Sequence, residues 1–471
     1  MFPSPAFRPV LDPGFVPASL WNRQYRALVA RSGGGNPLAL ALERSDGGVS
    51  VFRTAILPPD GKTTEITRRY VERLLKFLLW QKGGCRVTVA GDTGLAGYLR
   101  GVYRPGGERA FDHEFMGERI YGRPLAIESA AFDAAPVECE TAAPLGRHLD
   151  GCRIGFDLGA SDRKCAAVVD GQVVFSEEVG WHPSVQADPQ YHFDGIQDSL
   201  RRAAAHLERV DAIGGSAAGV YVNNEVRVGS LYRGVPHERF DRVRRLFFEL
   251  QAAWGGIPFH VVNDGEVTAL AGSMALGDNA VLGIAMGSSL AAGYVTPQGN
   301  ITTWLNELAF VPVDYRPGAP ADEWSGDRGV GVQYFSQQAV GRLLEPAGID
   351  LPGEMPLPVK LEHVQKLMSA GDARAMRIYQ TIGVYFGYAI ATYADFYDVR
   401  NLLVLGRVLS GEGGDLILSL AQEVLRAEFP EIAERIRYHI PGEQEKRHGQ
   451  AIAAASLPAL LHTQEQSRAI S

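Results

Sequence analysis

Two aspartates in this 471-residue chain stand where an apolar strand gives way to glycine and small residues. Asp157 closes the run Ile154-Gly155-Phe156 and is followed by Leu158-Gly159-Ala160-Ser161. Asp264 closes Ile257 to Asn263 and is followed by Gly265. Open α/β sheets place their chemistry at the carboxyl ends of strands. A carboxylate there can orient a hydroxyl nucleophile and accept its proton. Asn263, beside Asp264, offers both a donor and an acceptor to a neighbouring hydroxyl. Two turns of small residues, Gly159-Ala160-Ser161 and Gly287-Ser288-Ser289, let backbone N–H groups approach phosphate oxygens. Singly, each feature reads more simply as a hairpin turn, a capping aspartate or tight core packing. Their succession along one chain points to phosphoryl transfer onto a hydroxyl.

The elements that must position these residues alternate strand and helix from Cys152 onward. Strands are expected up to Asp157, over Cys165 to Val169 and, after the turn Asp170-Gly171, over Gln172 to Phe175. Helices are expected over Glu266 to Leu276 and Asp415 to Arg426. Between them lie two strands within Ala280 to Tyr294, meeting at the second small-residue turn, and the apolar strand Asn401 to Leu405, which ends in Gly406. Apolar residues recur at helical spacing in Ile196, Leu200, Ala203 and Leu207, in Phe240, Val243, Phe247 and Leu250, and in Ile378, Ile382, Tyr385, Phe386 and Ala389. Core packing explains the last stripe better than a cofactor box. Tyr315–Pro320 and Pro352–Pro358 read as loops.

From Cys152 to the C-terminus, these parts resemble the actin-like ATPase superfamily of sugar kinases, chaperone ATPases and actin, and within it the ROK family of bacterial sugar kinases and sugar-responsive repressors. Asp157-Leu158-Gly159 stands at that family's first phosphate motif and Gly287 to Gly293 at its second. Asn263-Asp264 stands at its sugar-binding asparagine and catalytic aspartate. Asn306-Glu307-Leu308-Ala309-Phe310 lines up with its Gly-Glu-x-Gly-His, whose glutamate binds the sugar. Tyr388 to Gly406 resembles its closing helix and adenosine strand, and His448 to Ile452 its terminal helix. The resemblance implies an α/β fold of two actin-like, ribonuclease H-like lobes, here 151–264 and 265–471, with nucleotide between them and the C-terminal helix packing back on the first lobe. It also implies ATP and Mg2+ as cofactors, with Mg2+ organised by Asp157 through water. The sugar would be held by Asn263 and Glu307, with Asp264 as base. The phosphates would lie near Gly159, Ser161, Lys164, Gly287, Ser288 and Ser289, and the adenosine near Gly406.

The departures from the family pattern are equally specific. Phe310 replaces the histidine. The segment Trp324 to Val332 stands where a cysteine-rich zinc loop follows, with serine and valine in place of cysteines. A structural zinc site needs about four N or S ligands, so no zinc is expected. Val332 stands at a glutamate near the sugar, and Arg407 at a glycine of the adenosine motif. Asp162, next to the first phosphate turn, repels phosphate unless a cation offsets it. These changes keep a second reading open: a catalytically silent sugar sensor or structural protein that retained the fold.

Residues 1–150 form an accessory α/β segment. Pro37 to Leu42 and Val49 to Ala55 read as a hairpin around Asp46-Gly47-Gly48, Glu65 to Gln81 as a helix with Ile66, Tyr70, Leu74 and Leu78 on one face, and Arg86 to Ala90 as a strand. Strand, strand, helix, strand resembles a fragment of an actin-like lobe, so a degenerate half-lobe is one reading. The stripe needs cover, expected from the first lobe or another subunit. Asp92-Thr93-Gly94 matches the aspartic-protease tripeptide, but one copy in an α/β setting excludes that chemistry. With 19 basic and 16 acidic residues and one long helix, the segment does not suit DNA binding.

A formal net charge of −8 gives no support for nucleic acid or an anionic membrane. No apolar stretch approaches the ~18 residues of a membrane span, and Met1 to Pro5 does not begin a secretory leader. Four cysteines without C-x-x-C spacing read as free thiols in a reducing cytoplasm. A homodimer is expected. His182 and His192 are read as solvated loop residues and Asp314 as a turn residue, so none of the three is placed in the site.

Overall fold

Strand direction sorts the chain into three parts. The computed structural model describes residues 5–61, 63–140, 145–440 and 443–460, with 443–448 by backbone alone. The side chain of His448 and residues Met1 to Ser4 thus lie outside the described residues.

The N-terminal segment opens with helix α1 (Ala18–Arg31), then the hairpin of β1 (Asn36–Glu43) and β2 (Val49–Ile56). Its turn is fixed by Gly48 N–H donating to Asp46 Oδ1 at 2.8 Å. Helix α2 (Thr64–Lys82) leads to β3 (Arg86–Ala90), and β4 (Ala126–Ala130) completes a sheet of order β2-β1-β3-β4. β3 runs antiparallel to β1. In an actin-like lobe the strand after the first helix runs parallel to the first strand, so the segment does not have the topology of a degenerate half-lobe. It also holds more helix than its sequence suggested. α1 was not anticipated, nor was the helix Thr93–Val102, capped by Asp92, whose Oδ1 accepts from Leu95 N–H at 2.8 Å. The cap gives the Asp-Thr-Gly tripeptide an ordinary structural role.

The first lobe is built on β5 (Cys152–Leu158), β6 (Asp162–Val169), β7 (Gln172–Gly180), β8 (Ala212–Ala217), the small hairpin β9 (Val220–Val222) and β10 (Glu225–Val228), and β11 (Phe259–Asn263). The main sheet has the order β11-β8-β5-β6-β7. β5, β6 and β7 form an antiparallel meander, while β8 and β11 continue parallel to β5. This is the ribonuclease H-like arrangement. Phe240, Val243, Phe247 and Leu250 lie on two short helices, Phe240–Arg244 and Leu246–Ala253, rather than one.

In the second lobe, helix α3 (Asp264–Leu276) packs on β12 (Val281–Met286) and β13 (Leu290–Val295), which are antiparallel. A Cβ on Gly293 would collide with the carbonyl of Gly265, and one on Gly265 with that of Ala292. Glycine at both positions lets the first turn of α3 lie directly on β13. After the long helix α4 (Ala373–Ala394), β14 (Asn401–Leu405) runs parallel to β12. Helix α5 (Glu412–Glu428) packs on α4, β15 (Arg437–His439) extends the sheet to β13-β12-β14-β15, and helix α6 (Glu443–Ala455) ends the described fold. Where a third meander strand would follow β13, the described residues hold only isolated bridges from Ile301 to Val295 and Leu145. The stripe from Ile378 to Ala389 is buried in the core. α6 packs back on the first lobe, with Ala451 and Ala455 against Ala166 and Val168.

The first lobe has its own apolar core. The N-terminal segment instead shares one continuous core with the second lobe, from Tyr25, Leu74, Phe77 and Trp80 to Ile284, Tyr294 and Tyr385. The expectation of cover from the first lobe or another subunit is therefore corrected. α1 covers part of the α2 stripe, with Tyr25 stacked on Tyr70 at 4.0 Å. Phe77, on the same helix, stacks on Phe396 of the second lobe at 3.7 Å. None of the described helices is long and apolar enough to cross a membrane.

Candidate functional site

The register of the first sheet sets the spacing of the site. Asp157 lies opposite Ser216 on β8, and Asn263 at the end of β11 lies opposite Ala217. Asp157 and the Asn263-Asp264 pair are thus two strands apart, roughly 10 Å between backbones. The Ser216 hydroxyl donates to Asp157 Oδ1 at 2.5 Å. Ser216 was not read from the sequence, because nothing local marks one serine in a Gly-Gly-Ser-Ala strand.

Lys164 lies directly across from Asp157 in the β5–β6 ladder. Its Nζ is 3.9 Å from Asp157 and 3.3 Å from Asp162. It is the cation that offsets the charge of Asp162. The turn itself is closed by Gly159 N–H donating to the Asp162 carbonyl at 2.9 Å, and is braced by the Trp181 indole N–H on the Gly159 carbonyl at 2.8 Å. Ser161 Oγ bonds Asp162 at 2.9 Å. Gly159 thus spends its N–H inside the turn. Among the described contacts, the N–H groups of Ala160 and Ser161 carry no hydrogen bond.

The second turn has the same design. Gly287 N–H donates to the Ser289 carbonyl at 2.9 Å, while the N–H groups of exposed Ser288 and Ser289 have no described partner. Gly406 adjoins it at the end of β14. Its φ is +109°, and a Cβ there would collide with the backbone of Met286. Only glycine fits both constraints. The uncommitted N–H groups of each turn suit phosphate oxygens, and the first turn has Lys164 and the strand-end carboxylate of Asp157 beside it, groups whose chemistry fits a magnesium-bound phosphate chain.

Asn263 caps α3. Its Oδ1 accepts from Gly265 N–H at 2.8 Å and its Nδ2 donates to the Gly219 carbonyl at 2.7 Å. One N–H and one lone pair remain for a ligand, half of what the sequence suggested. Because Asn263 provides the cap, Asp264 retains acceptor capacity, its Oδ1 meeting Gly265 N–H at 3.0 Å. Burial, reinforced by the charge of Asp157, raises the Asp264 carboxyl to about 6. Burial, with the charge of Asp264 added, raises Glu307 to about 8. A third carboxyl, Glu266, is pushed by burial to about 8 against the bonds it accepts from Asn306 Nδ2 (2.5 Å) and Tyr294 N–H (3.3 Å). Glu266 was missed in the sequence, although a glutamate ahead of the apolar run Val267 to Leu276 is itself a signal.

These shifts make a test on the free protein. Glu307 titrates near 8 when folded and near ~4.3 when unfolded. Its contribution to stability is therefore present below the unfolded value and lost as the pH rises through about 8. Glu307→Gln is expected to be more stable than wild type at alkaline pH, by on the order of a few kcal/mol, with the gap narrowing toward acid. Urea unfolding of both proteins at several pH values checks this. Parallel pH profiles would contradict the burial of Glu307.

At the position of the family histidine, the Phe310 ring lies 4.5 Å from Trp80 and 5.2 Å from Trp324. The loop where the family has its zinc ligands carries Asp327, bonded to Lys76 and Arg109. Among the described residues no group of three or more His, Cys, Asp or Glu is placed to hold a metal. Elemental analysis of the purified protein is expected to find no stoichiometric zinc, and one zinc per chain would overturn the alignment of 306–332. His192 differs from its reading as a solvated loop residue. It is buried on the helix Pro189–Ala204, with Nε2 3.1 Å from the carbonyls of Pro183 and Leu231. Asp314 differs from its reading as a turn residue: it is buried and bridges Pro17 in antiparallel fashion, its carboxylate accepting from Val16 and Arg316 N–H.

The architecture matches solved structures. A ROK hexokinase from Thermus thermophilus superimposes with a TM-score of 0.51 at 18% identity, covering 67% of this chain and 99% of the hexokinase. The chain has the ROK fold. A ROK family transcriptional regulator, a homologue of the E. coli MLC protein, gives 0.50 at 18% identity, covering 66% of this chain and 79% of the regulator. No family model and no curated protein sequence matches the chain. The ROK fold here is therefore visible in three dimensions and carries both a kinase and a regulator among its likenesses.

Proposed function

We propose that the protein phosphorylates a hydroxyl of a sugar or sugar derivative with ATP. The observation that carries this reading is the convergence of carboxyls: burial, with the charge of Asp157 added, raises Asp264, and burial, with the charge of Asp264 added, raises Glu307. A protein that only holds its fold has no use for such mutual repulsion. Magnesium-bound ATP, when present, supplies the phosphoryl group. Asp264, held half-buried at the head of α3, accepts the proton of the attacking hydroxyl. A base near 6 is ionised at neutral pH yet basic enough to take that proton. Asn263, through its remaining N–H and lone pair, and Glu307 hold other hydroxyls. Asp157, kept in place by Ser216, organises the metal through water. Ala160, Ser161, Ser288 and Ser289 hold phosphates by backbone N–H groups, with Lys164 beside the first turn and Gly406 beside the adenosine.

The rival is a sugar sensor without turnover. It is favoured by Val332 at a family glutamate, by Arg407 at a family glycine, and by the likeness to a regulator. A thermal-shift panel of sugars, each with and without Mg-ATP, followed by coupled ADP release on every sugar that stabilises, separates the two. ADP release with at least one sugar is the expected result. Stabilisation by a sugar without ADP release from any of them would establish the sensor.

A further inference from the structure

Helix α2 ends against the segment that carries Glu307. The last four carbonyls of a helix lack intrahelical partners. In α2 the Leu79 carbonyl is taken by Gly83 N–H, at 2.9 Å. The next two are taken from outside the segment, Trp80 O by Glu307 N–H and Gln81 O by Asn306 N–H, both at 3.0 Å. Asn306 adopts the left-handed conformation, φ +50°, that this junction needs. Glu307 is thus held by the backbone of the N-terminal segment.

What fixes α2 in turn is a buried ionic cluster. Glu72, Lys76 and Trp80, four residues apart, share one face of the helix. Lys76 Nζ lies 2.9 Å from Asp112 and 2.5 Å from Asp327. Arg109 bonds Glu72 and Asp327, each at 2.7 Å. The Trp80 indole N–H donates to Asp112 at 2.8 Å. Asp327 comes from the second lobe, on the loop that follows Phe310, and is the only member of this cluster outside the N-terminal segment. The loop is pinned again by Trp324, edge-on to Phe111 and Phe115 at 4.9 and 5.1 Å.

We propose that Lys76 and Asp327 are positioning residues for Glu307: the Lys76–Asp327 pair clamps α2 to the second lobe, and the end of α2 holds Glu307 by its backbone. Parting α2 from the loop would leave buried charges on both sides uncompensated, which suits a clamp. The role in sugar binding rests on the reading of Glu307 given above, whereas the clamp itself is a property of the free protein.

The test is amide hydrogen exchange on the full chain, with neither sugar nor nucleotide added, so that it stands apart from the question of turnover. In wild type under rising urea, the amides of Asn306 and Glu307 are expected to open together with those of α2. Exchange of these two amides while α2 stays closed would overturn the proposal, whatever the variants do. In Asp327→Asn and Lys76→Met, a peptide spanning 304–311 is expected to exchange about tenfold faster or more, with β5 and β6 unchanged. Lys76→Arg should restore slow exchange. A uniform rise across the chain, or no rise at 304–311 in a folded variant, would leave the cluster with a general structural role and sink the clamp.

Discussion

Asp264→Asn is expected to lower the rate of ADP release by on the order of 10²–10⁴, the usual cost of removing a general base. The substitution keeps the size of the side chain and its acceptor toward Gly265 N–H. It removes the ability to take a proton. Sugar affinity, measured by calorimetry, is expected to survive, because Asn263 and Glu307 remain and because the amide relieves the repulsion that raises Glu307. In wild type the rate should fall as the pH drops below about 6, where Asp264 becomes protonated. Asp157→Asn should behave differently, weakening the Mg2+-dependent step with sugar affinity nearly unchanged. If Asp264→Asn retains more than about a tenth of the wild-type rate, the base is another group.

The strand-end aspartates and small-residue turns were legible because their chemistry is local. A strand, a carboxylate and a glycine within eight residues leave a pattern that no distant contact has to complete. The whole first-lobe meander follows from such patterns, and so does the hairpin of β12 and β13. What the sequence could not convey is which donors are already committed. Gly159 and Gly287 look like phosphate-binding glycines, yet each spends its N–H on closing its own turn, and the open donors belong to their neighbours. Asn263 likewise looked fully available, while half its capacity goes to capping α3 and bonding Gly219. These are tertiary and turn-level hydrogen bonds, decided by geometry rather than residue type.

The N-terminal segment was the least legible part for a related reason. Its helical stripe of Ile66, Tyr70, Leu74 and Leu78 announced that α2 needs cover but could not say from where. The ionic face of the same helix, Glu72 and Lys76, carries no local mark of its burial. Lys76 finds its partners 36 and 251 residues away. No window on the sequence joins them.

That arrangement gives the deletion of residues 1–145 a definite expected result. Phe77 stacks on Phe396, Phe15 lies 4.7 Å from Tyr385, and Trp80 lies against Phe310. Removing the segment uncovers an apolar face of the second lobe that is continuous with its core. At about 25 cal/mol per Å2 of apolar surface, a few hundred Å2 newly exposed to water matches much of a domain's net stability. It also strips Asp327 of both its cations, leaving a buried carboxylate without a partner. The fragment from 146 onward is expected to aggregate, or to bind hydrophobic dye with a loosened second lobe. The first lobe, which keeps its own core, should retain its amide protection. Coexpressing residues 1–145 as a separate chain should restore solubility, since the contacts are non-covalent. A fragment as soluble and as stable as the full chain would mean that the shared core is not needed by the second lobe, and the segment would then be an independent domain.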